Sequence, residues 1–503
     1  MSSCAMRTYQ TRLKLTEAEE KALDASAELL SRAQRTLFCE LQKGRGVVEL
    51  KSEFIIRFGI TARHFNGCRV EVEGKRRSLK ELMKQQSIDL RSRIVSLQKR
   101  FKAGVRDKAC SNGLKKRLDR LKSKTDQLEK DLAKGTLRLC YGSKKLFRAQ
   151  FHLEESVYQD HAAWKEAWQR KRNSSFFLLG SKDEMGGNQS CKATMEADDS
   201  LSLRVRLPDG VKAANKHLLL EGIFFAHGHV ELVRALRECA ARVELQHRGD
   251  ESYRERGQAI CYRFVRDRKG WRLFATVEQQ EPTWVSDKRL GRLGVDVNGD
   301  HLAVTETDRY GNVVAHFSVP LSLYGKSQKQ AEAVVGDACK QVVNYAVNCC
   351  KPLVLEKLDF QEKRKELSTS YCLPSRARHL SSFAYGRILE NLKSAAFSKG
   401  IEVYEVNPAY TSMVGKIKFA KKYGLSTHHA AALAIARRSA GFSEKLPHQG
   451  EVPDGRGGHI AFVVPARNRQ RSLCSHLRQV NRELRAAFAK HFRMARCQST
   501  GPP

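Results

Sequence analysis

No stretch of this 503-residue chain stays apolar for the about 20 positions that a membrane helix needs, and no signal peptide opens it. No CxxC pair occurs among the 14 cysteines, and only Cys349 and Cys350 are adjacent. That excludes a disulfide framework and a zinc ribbon, and leaves ordinary thiols in a reducing compartment. Acidic residues are few for a chain this basic: 55 Asp and Glu stand against 91 Lys and Arg, a net charge of +36. Solubility needs far less. The natural counterpart is a polyanion, so the composition implies a soluble, cytoplasmic protein that binds phosphate backbones with strong salt dependence.

Two short apolar strands each carry one carboxylate. In Leu293-Gly294-Val295-Asp296-Val297-Asn298 the apolar and polar residues alternate, so a period of two puts Gly294, Asp296 and Asn298 on one face. Leu353-Val354-Leu355-Glu356-Lys357-Leu358 repeats the theme with Glu356. A buried carboxylate is costly unless it is ion-paired or holds a metal, and each strand alone leaves both options open. The residues between narrow them. Strands over 301–307 and 312–317 and a helix from about Ser327 to Cys350 predict a three-strand meander, a crossover helix and a fourth strand parallel to the first. Asp296 and Glu356 are then neighbours at the end of the sheet where such folds bind ligands. This is the ribonuclease-H/RuvC arrangement, in which paired carboxylates hold magnesium for phosphodiester cleavage.

Upstream, residues 7–15 alternate as a strand, and Thr16 with Glu19 forms a capping box for a helix to about Gln42. A second helical segment starts near Thr61. Two long helices follow from about Ser78 to Lys134, broken near Gly104 to Gly113. Residues 91–148 carry a net charge of +14. This stretch is either a solvated helical hairpin or an arm that grips a backbone through cations such as Lys115, Lys116, Arg117 and Arg120. Residues 174–280 read as strands, including a hairpin over 260–265 and 271–277, with a loop over 181–190. The expected plan is α+β and α/β: a first barrel strand (1–15), a helical arm (16–172), a small wedge-like β-barrel (173–288) and a RuvC/ribonuclease-H-like domain (289–446). A basic, partly disordered, peripheral tail (447–503), with one helix over about 470–492, ends it.

Several motifs in order resemble a known family. Gly294-Val295-Asp296-Val297-Asn298, Val354-Leu355-Glu356-Lys357-Leu358-Asp359-Phe360, Ser381-Ser382-Phe383-Ala384-Tyr385-Gly386, Val406-Asn407-Pro408-Ala409-Tyr410-Thr411-Ser412 and the stretch from Tyr423 to Ala432 are similar to the TnpB-related proteins of bacterial insertion sequences. These are relatives of the type V CRISPR effector nucleases. The resemblance covers about residues 7–447. It implies an RNA-guided DNA endonuclease that uses a transposon-derived guide RNA on double-stranded target DNA, with Mg²⁺ (or Mn²⁺) held by Asp296 and Glu356, in the bacterial cytoplasm at the nucleoid.

Two departures matter. Only 13 residues lie between Ser412 and Ser426, none of them Cys, so the zinc module of many members is absent and no structural zinc is expected. The last active-site acid is replaced by histidine, His428 or alternatively His429. His428 shares a helical face with Ala432, Ile435 and Ala436, which points it toward the sheet, and the Ala430-Ala431-Ala432 run permits close approach. Either the histidine completes the site, or the chain is a nuclease-dead guided binder. A transposase acting directly on DNA is a further alternative, without a motif that singles out strand transfer.

If the arm grips a backbone, changing Lys115, Lys116, Arg117 and Arg120 together to Glu should weaken RNA or target binding about tenfold or more at low salt. The circular-dichroism spectrum should not change. Unaltered binding would reduce the arm to a solvated hairpin.

Overall fold

The computed structural model describes residues 6–102, 108–357, 382–454, 458–468, 470 and 472–498. Residues 361–378 lie outside them, as do Leu358, Asp359, Phe360 and Ser381 of the motifs. The chain divides into two compact units, Met1–Gln280 and Glu281–Pro503.

In the first unit, strand β1 (Met6–Arg12) leads into helix α1 (Glu17–Gln42), and the Thr16–Glu19 capping box forms as expected. Helix α2 (Val47–Phe58) ends on Gly59, whose φ of +57° is open to glycine at little cost. Helix α3 (Ala62–Lys102) is one continuous element where the sequence predicted two, and α4 (Lys108–Ala133) runs through Gly113 without a break. The two pack as a hairpin in which Ser87 and Arg91 on α3 both reach Glu129 on α4. Helices α5 (Lys144–Ala149) and α6 (His161–Arg172) follow, then β2 (Ser175–Leu178), β3 (Cys191–Met195), β4 (Leu201–Arg206) and β5 (His217–Ile223). Helix α7 (His229–His247) interrupts what read as continuous strand texture; it buries Leu232, Ala235 and Cys239, one stripe of a 3.6 period. The hairpin β6 (Cys261–Asp267) and β7 (Gly270–Glu278) is as expected.

The expected small β-barrel is not what these strands build. They form two separate sheets, β1-β7-β6-β2 and β3-β4-β5, with no closed ring among the described residues. Residues 181–190, read as a simple loop, link the sheets through a side chain instead of a strand ladder. Asn188 is buried; its Nδ2 donates to the carbonyls of Leu178 (3.2 Å) and Ile260 (2.9 Å), and its Oδ1 accepts from the N–H groups of Ser190 and Cys191.

The second unit carries a five-stranded sheet in the order β10-β9-β8-β11-β12. β8 (Arg292–Val297), β9 (His301–Thr307) and β10 (Val313–Pro320) form the antiparallel meander, and helix α8 (Gln328–Cys349), capped by Ser327, crosses over to β11 (Leu353–Glu356). β11 pairs in parallel with β8 and with β12 (Val403–Val406). This order and polarity are the ribonuclease-H-like arrangement expected from the sequence. Helices Gln328–Cys349 and Ser382–Ser398 share one core with Leu293, Val295, Leu353 and Leu355, while helix Thr427–Ser439 packs against β8 and β9.

The described residues after 447, expected to be peripheral, complete a further core. A hairpin of β13 (Gln449–Pro453) and β14 (His459–Val463) brings Val452 and Ile460 against Ile417, Phe419 and Leu433. Helix Leu473–Gln498 adds Leu477, Val480 and Leu484 to that cluster.

Helix Thr427–Ser439 lies so close to β8 that a Cβ on Gly294 would stand 1.9 Å from the carbonyl oxygen of Ala432. Gly294→Val should therefore push the helix off the sheet and destabilise this unit by about 1–3 kcal/mol or more. The thermal midpoint should fall by about 2–4 °C for each kcal/mol in a domain of this size. An unshifted midpoint would contradict this packing.

Candidate active site

Asp296 sits near the C-terminal end of β8 with 11% of its side chain exposed. Register pairs Leu353 with Leu293 and Val354 with Gly294, and the same register carried two residues further sets Glu356 level with Asp296. The two carboxylates thus belong to adjacent parallel strands and to the same end of the sheet.

The rest of the site is built around them. Asn298 Nδ2 donates to Asp296 Oδ2 over 3.0 Å. Ser426 caps helix Thr427–Ser439 by accepting from the N–H of His429, which fixes where the helix begins and which first-turn residue faces the sheet. That residue is His428, whose Nδ1 lies 3.1 Å from Asp296 Oδ2. His429 turns elsewhere: its Nε2 is 3.1 Å from Ser318 Oγ on β10 and its Nδ1 is 2.9 Å from Ser426 Oγ. Of the two histidines the sequence offered, the structure brings His428 to Asp296 and not His429. Lys115, Lys116, Arg117 and Arg120 are exposed on α4 in the other unit, and none forms an ion pair among the described residues.

Several contributors were not legible as site residues. Thr411 donates its hydroxyl to Glu356 Oε1. It follows Tyr410, a non-glycine residue held at φ +65°, a strained conformation of the kind that gathers at functional sites. Arg438, at the far end of helix Thr427–Ser439, is drawn toward Glu356 electrostatically and donates to the carbonyls of Asn407 and Ala409. Burial pulls its guanidinium below the usual arginine range. Tyr385 is buried, and its hydroxyl is pushed up to about 12, first by desolvation and then by Asp296 and Asp300. Thr411 and Tyr385 lie inside the family-like stretches 406–412 and 381–386, the signal that could have found them. Nothing in the sequence pointed to Arg438.

The donors at the site are two carboxylates, with imidazole and hydroxyl groups beside them. Among the described residues no group of three or more His, Cys, Asp or Glu side chains is arranged to hold a metal ion. The set fits magnesium in its usual protein setting, one or two carboxylates completed by water and substrate oxygens, and does not fit a closed protein cage. No described helix is long and apolar enough to cross a membrane.

No protein-family profile matches this chain, and no curated protein matches it. Among solved structures, the chain is similar to T. thermophilus RuvC in complex with a Holliday junction substrate, at 17% identity and a TM-score of 0.22, over 29% of this chain and 90% of that one. A second Thermus thermophilus RuvC structure matches at 18% identity and a TM-score of 0.22, over 29% and 89% of the two chains. A CRISPR-Cas12f ternary complex matches at 11% identity and a TM-score of 0.22, over 88% of this chain and 99% of that one.

The ring of His429 is held below its ordinary pKa, first by desolvation and further by the neighbouring His316, His301 and His428. The folded state therefore favours the neutral ring. Its contribution to stability is complete above the unfolded pKa of about 6.5 and is lost as pH falls through the lower folded value. The thermal midpoint should fall between pH 7 and pH 5, and His429→Asn should flatten part of that fall. An identical pH profile in the variant would assign the slope to other groups.

Proposed function

We propose that this chain is a metal-dependent, RuvC-type DNA endonuclease guided by an RNA. The carrying observation is the placement of Asp296 and Glu356 at one end of adjacent parallel strands, with His428 on Asp296. The sequence motifs, which resemble the transposon-encoded TnpB-related family, and the net charge of +36 support nucleic acid as substrate and guide as partner. Asp296 and Glu356 would hold Mg²⁺, which when bound supplies charge stabilisation at the phosphoryl group and a more acidic water. Asn298 and His428 both engage Asp296 Oδ2, which fixes the plane of the carboxylate, and Thr411 does the same for Glu356. Arg438 adds positive charge on the Glu356 side. His428, with 47% of its side chain exposed, is open to a substrate strand and can orient a water or take a proton from it.

A second reading has a specific observation in its favour. Histidine stands in the last acid's place and no three-ligand cluster exists among the described residues, which suits a guided binder that does not cut.

One series separates the two. With the copurified RNA and a duplex carrying its complementary sequence, Asp296→Ala or Glu356→Ala should abolish cleavage in Mg²⁺ while target affinity changes less than about twofold. His428→Ala should lower the rate by about 10²-fold or more, His429→Ala by much less, and His428→Asp should keep or raise activity by restoring an oxygen donor. Wild type that binds but never cuts in Mg²⁺ or Mn²⁺, unrescued by His428→Asp, selects the binder.

A further inference from the structure

A second imidazole stands at this site. His301 opens β9 directly across from Asn298, whose N–H donates to the His301 carbonyl over 2.9 Å. Its Nδ1 lies 2.8 Å from Asp300 Oδ1, and its ring meets the His428 ring edge-on, with centroids 5.0 Å apart at 82°. Its side chain is 22% exposed, so it is held in place yet reachable. His301 and His428 therefore share one geometry: each engages a carboxylate through Nδ1, which leaves Nε2 as the nitrogen free of that carboxylate. His301 Nε2 lies 3.5 Å from Asn298 Nδ2, at the limit of a hydrogen bond. A carboxylate on one ring nitrogen sets which nitrogen faces the chemistry.

The charged and titratable groups around His301 are few. Asp300 lies beside it in the turn, Asp296 on β8, His428 and His429 on helix Thr427–Ser439, and the Tyr385 hydroxyl on helix Ser382–Ser398. No Lys or Arg pairs with Asp300 among the described residues; the hydrogen bond to His301, with a smaller contribution from His428, holds its carboxylate below the usual carboxylate range.

Resting on the hydrolytic reading above, we propose that His301 is a second catalytic residue of this site, the proton donor to the leaving sugar oxygen of the scissile phosphodiester. The water oxygen bonds to phosphorus, and the bond from phosphorus to the leaving oxygen breaks with its electron pair on that oxygen. The leaving oxygen takes the proton from Nε2 of the His301 imidazolium. The proton shed by the attacking water passes to solvent, from which His301 is reprotonated. Asp300 acts through His301 and is a positioning residue.

The test uses the full chain with its copurified RNA and two target duplexes, one ordinary and one with sulfur in place of the leaving oxygen at the scissile linkage. A thiolate leaves without a proton. On the ordinary duplex, His301→Ala and His301→Gln should lower the cleavage rate by about 10²-fold or more, at unchanged target affinity. On the sulfur-bridged duplex both variants should cut at the wild-type rate. Equal losses on the two substrates would make His301 a structural residue, and no loss on either would remove it from the reaction, in both cases with the hydrolytic reading intact. A wild type that cuts neither duplex removes the hydrolytic reading and this inference together. Contact is checked separately: target loading should protect His301 from diethyl pyrocarbonate, read by peptide mass spectrometry, and an unprotected His301 overturns the contact.

Discussion

The site depends on how closely one helix can lie on one strand. Gly294 on β8 presents no side chain to helix Thr427–Ser439, and the helix answers with Ala430, Ala431 and Ala432, all buried. Gly415 makes a second such approach, where a Cβ would stand 2.5 Å from the Ala430 carbonyl oxygen. A larger residue at either glycine would have to lift the helix, because close-packed interiors absorb added volume poorly. The first turn of that helix brings His428 within hydrogen-bond reach of Asp296, so the distance between backbones sets the chemistry available at the sheet's end.

The same sheet uses buried carboxylates in two ways. At the opposite end of the β8–β9 pair from Asp296, Glu306 lies beside Leu293 and is met by the Lys351 ammonium and by the Tyr345 hydroxyl at 2.6 Å. Both members of that ion pair are almost fully buried, and accepting the Tyr345 proton keeps that phenol protonated up to about 12. Removing Lys351 would leave a buried charge unpaired, the costly way to break such a pair. Asp296 has no such cation: among the described residues it meets an amide and an imidazole, and no Lys or Arg. One end of the sheet is neutralised from within, and the other keeps a carboxylate whose charge is still available to a cation.

Much of the second unit was legible because its signals are local. Alternation over 293–298, the turn over 308–311, the Ser327 cap and the length of the crossover segment each bear on a few consecutive residues, and the handedness of crossovers then orders the strands. The first unit was less legible for a matching reason. Whether strands close into a barrel is decided by which edges find partners, and here the buried amide of Asn188 joins two open sheets. The stripe of Leu232, Ala235 and Cys239 is short and embedded in strand-like sequence, so α7 escaped a reading by texture. The chain after residue 447 looked peripheral because its charges dominate its composition. Its few apolar residues are spaced so that one hairpin face and one helix stripe meet the same core.

By itself the sequence determined the two acid-bearing strands, their parallel adjacency and the residue types at the start of helix Thr427–Ser439, because periodicity, capping and turn chemistry are short-range. The helical face already favoured His428 over His429, and the tertiary structure brings it to Asp296; only the tertiary structure decided that Thr411 and Arg438 attend Glu356. It also decided that Asp300 and His301 stand beside them. These groups lie up to 132 positions from the carboxylates they serve, and no local pattern encodes such a separation: it follows from how closely one backbone can approach another.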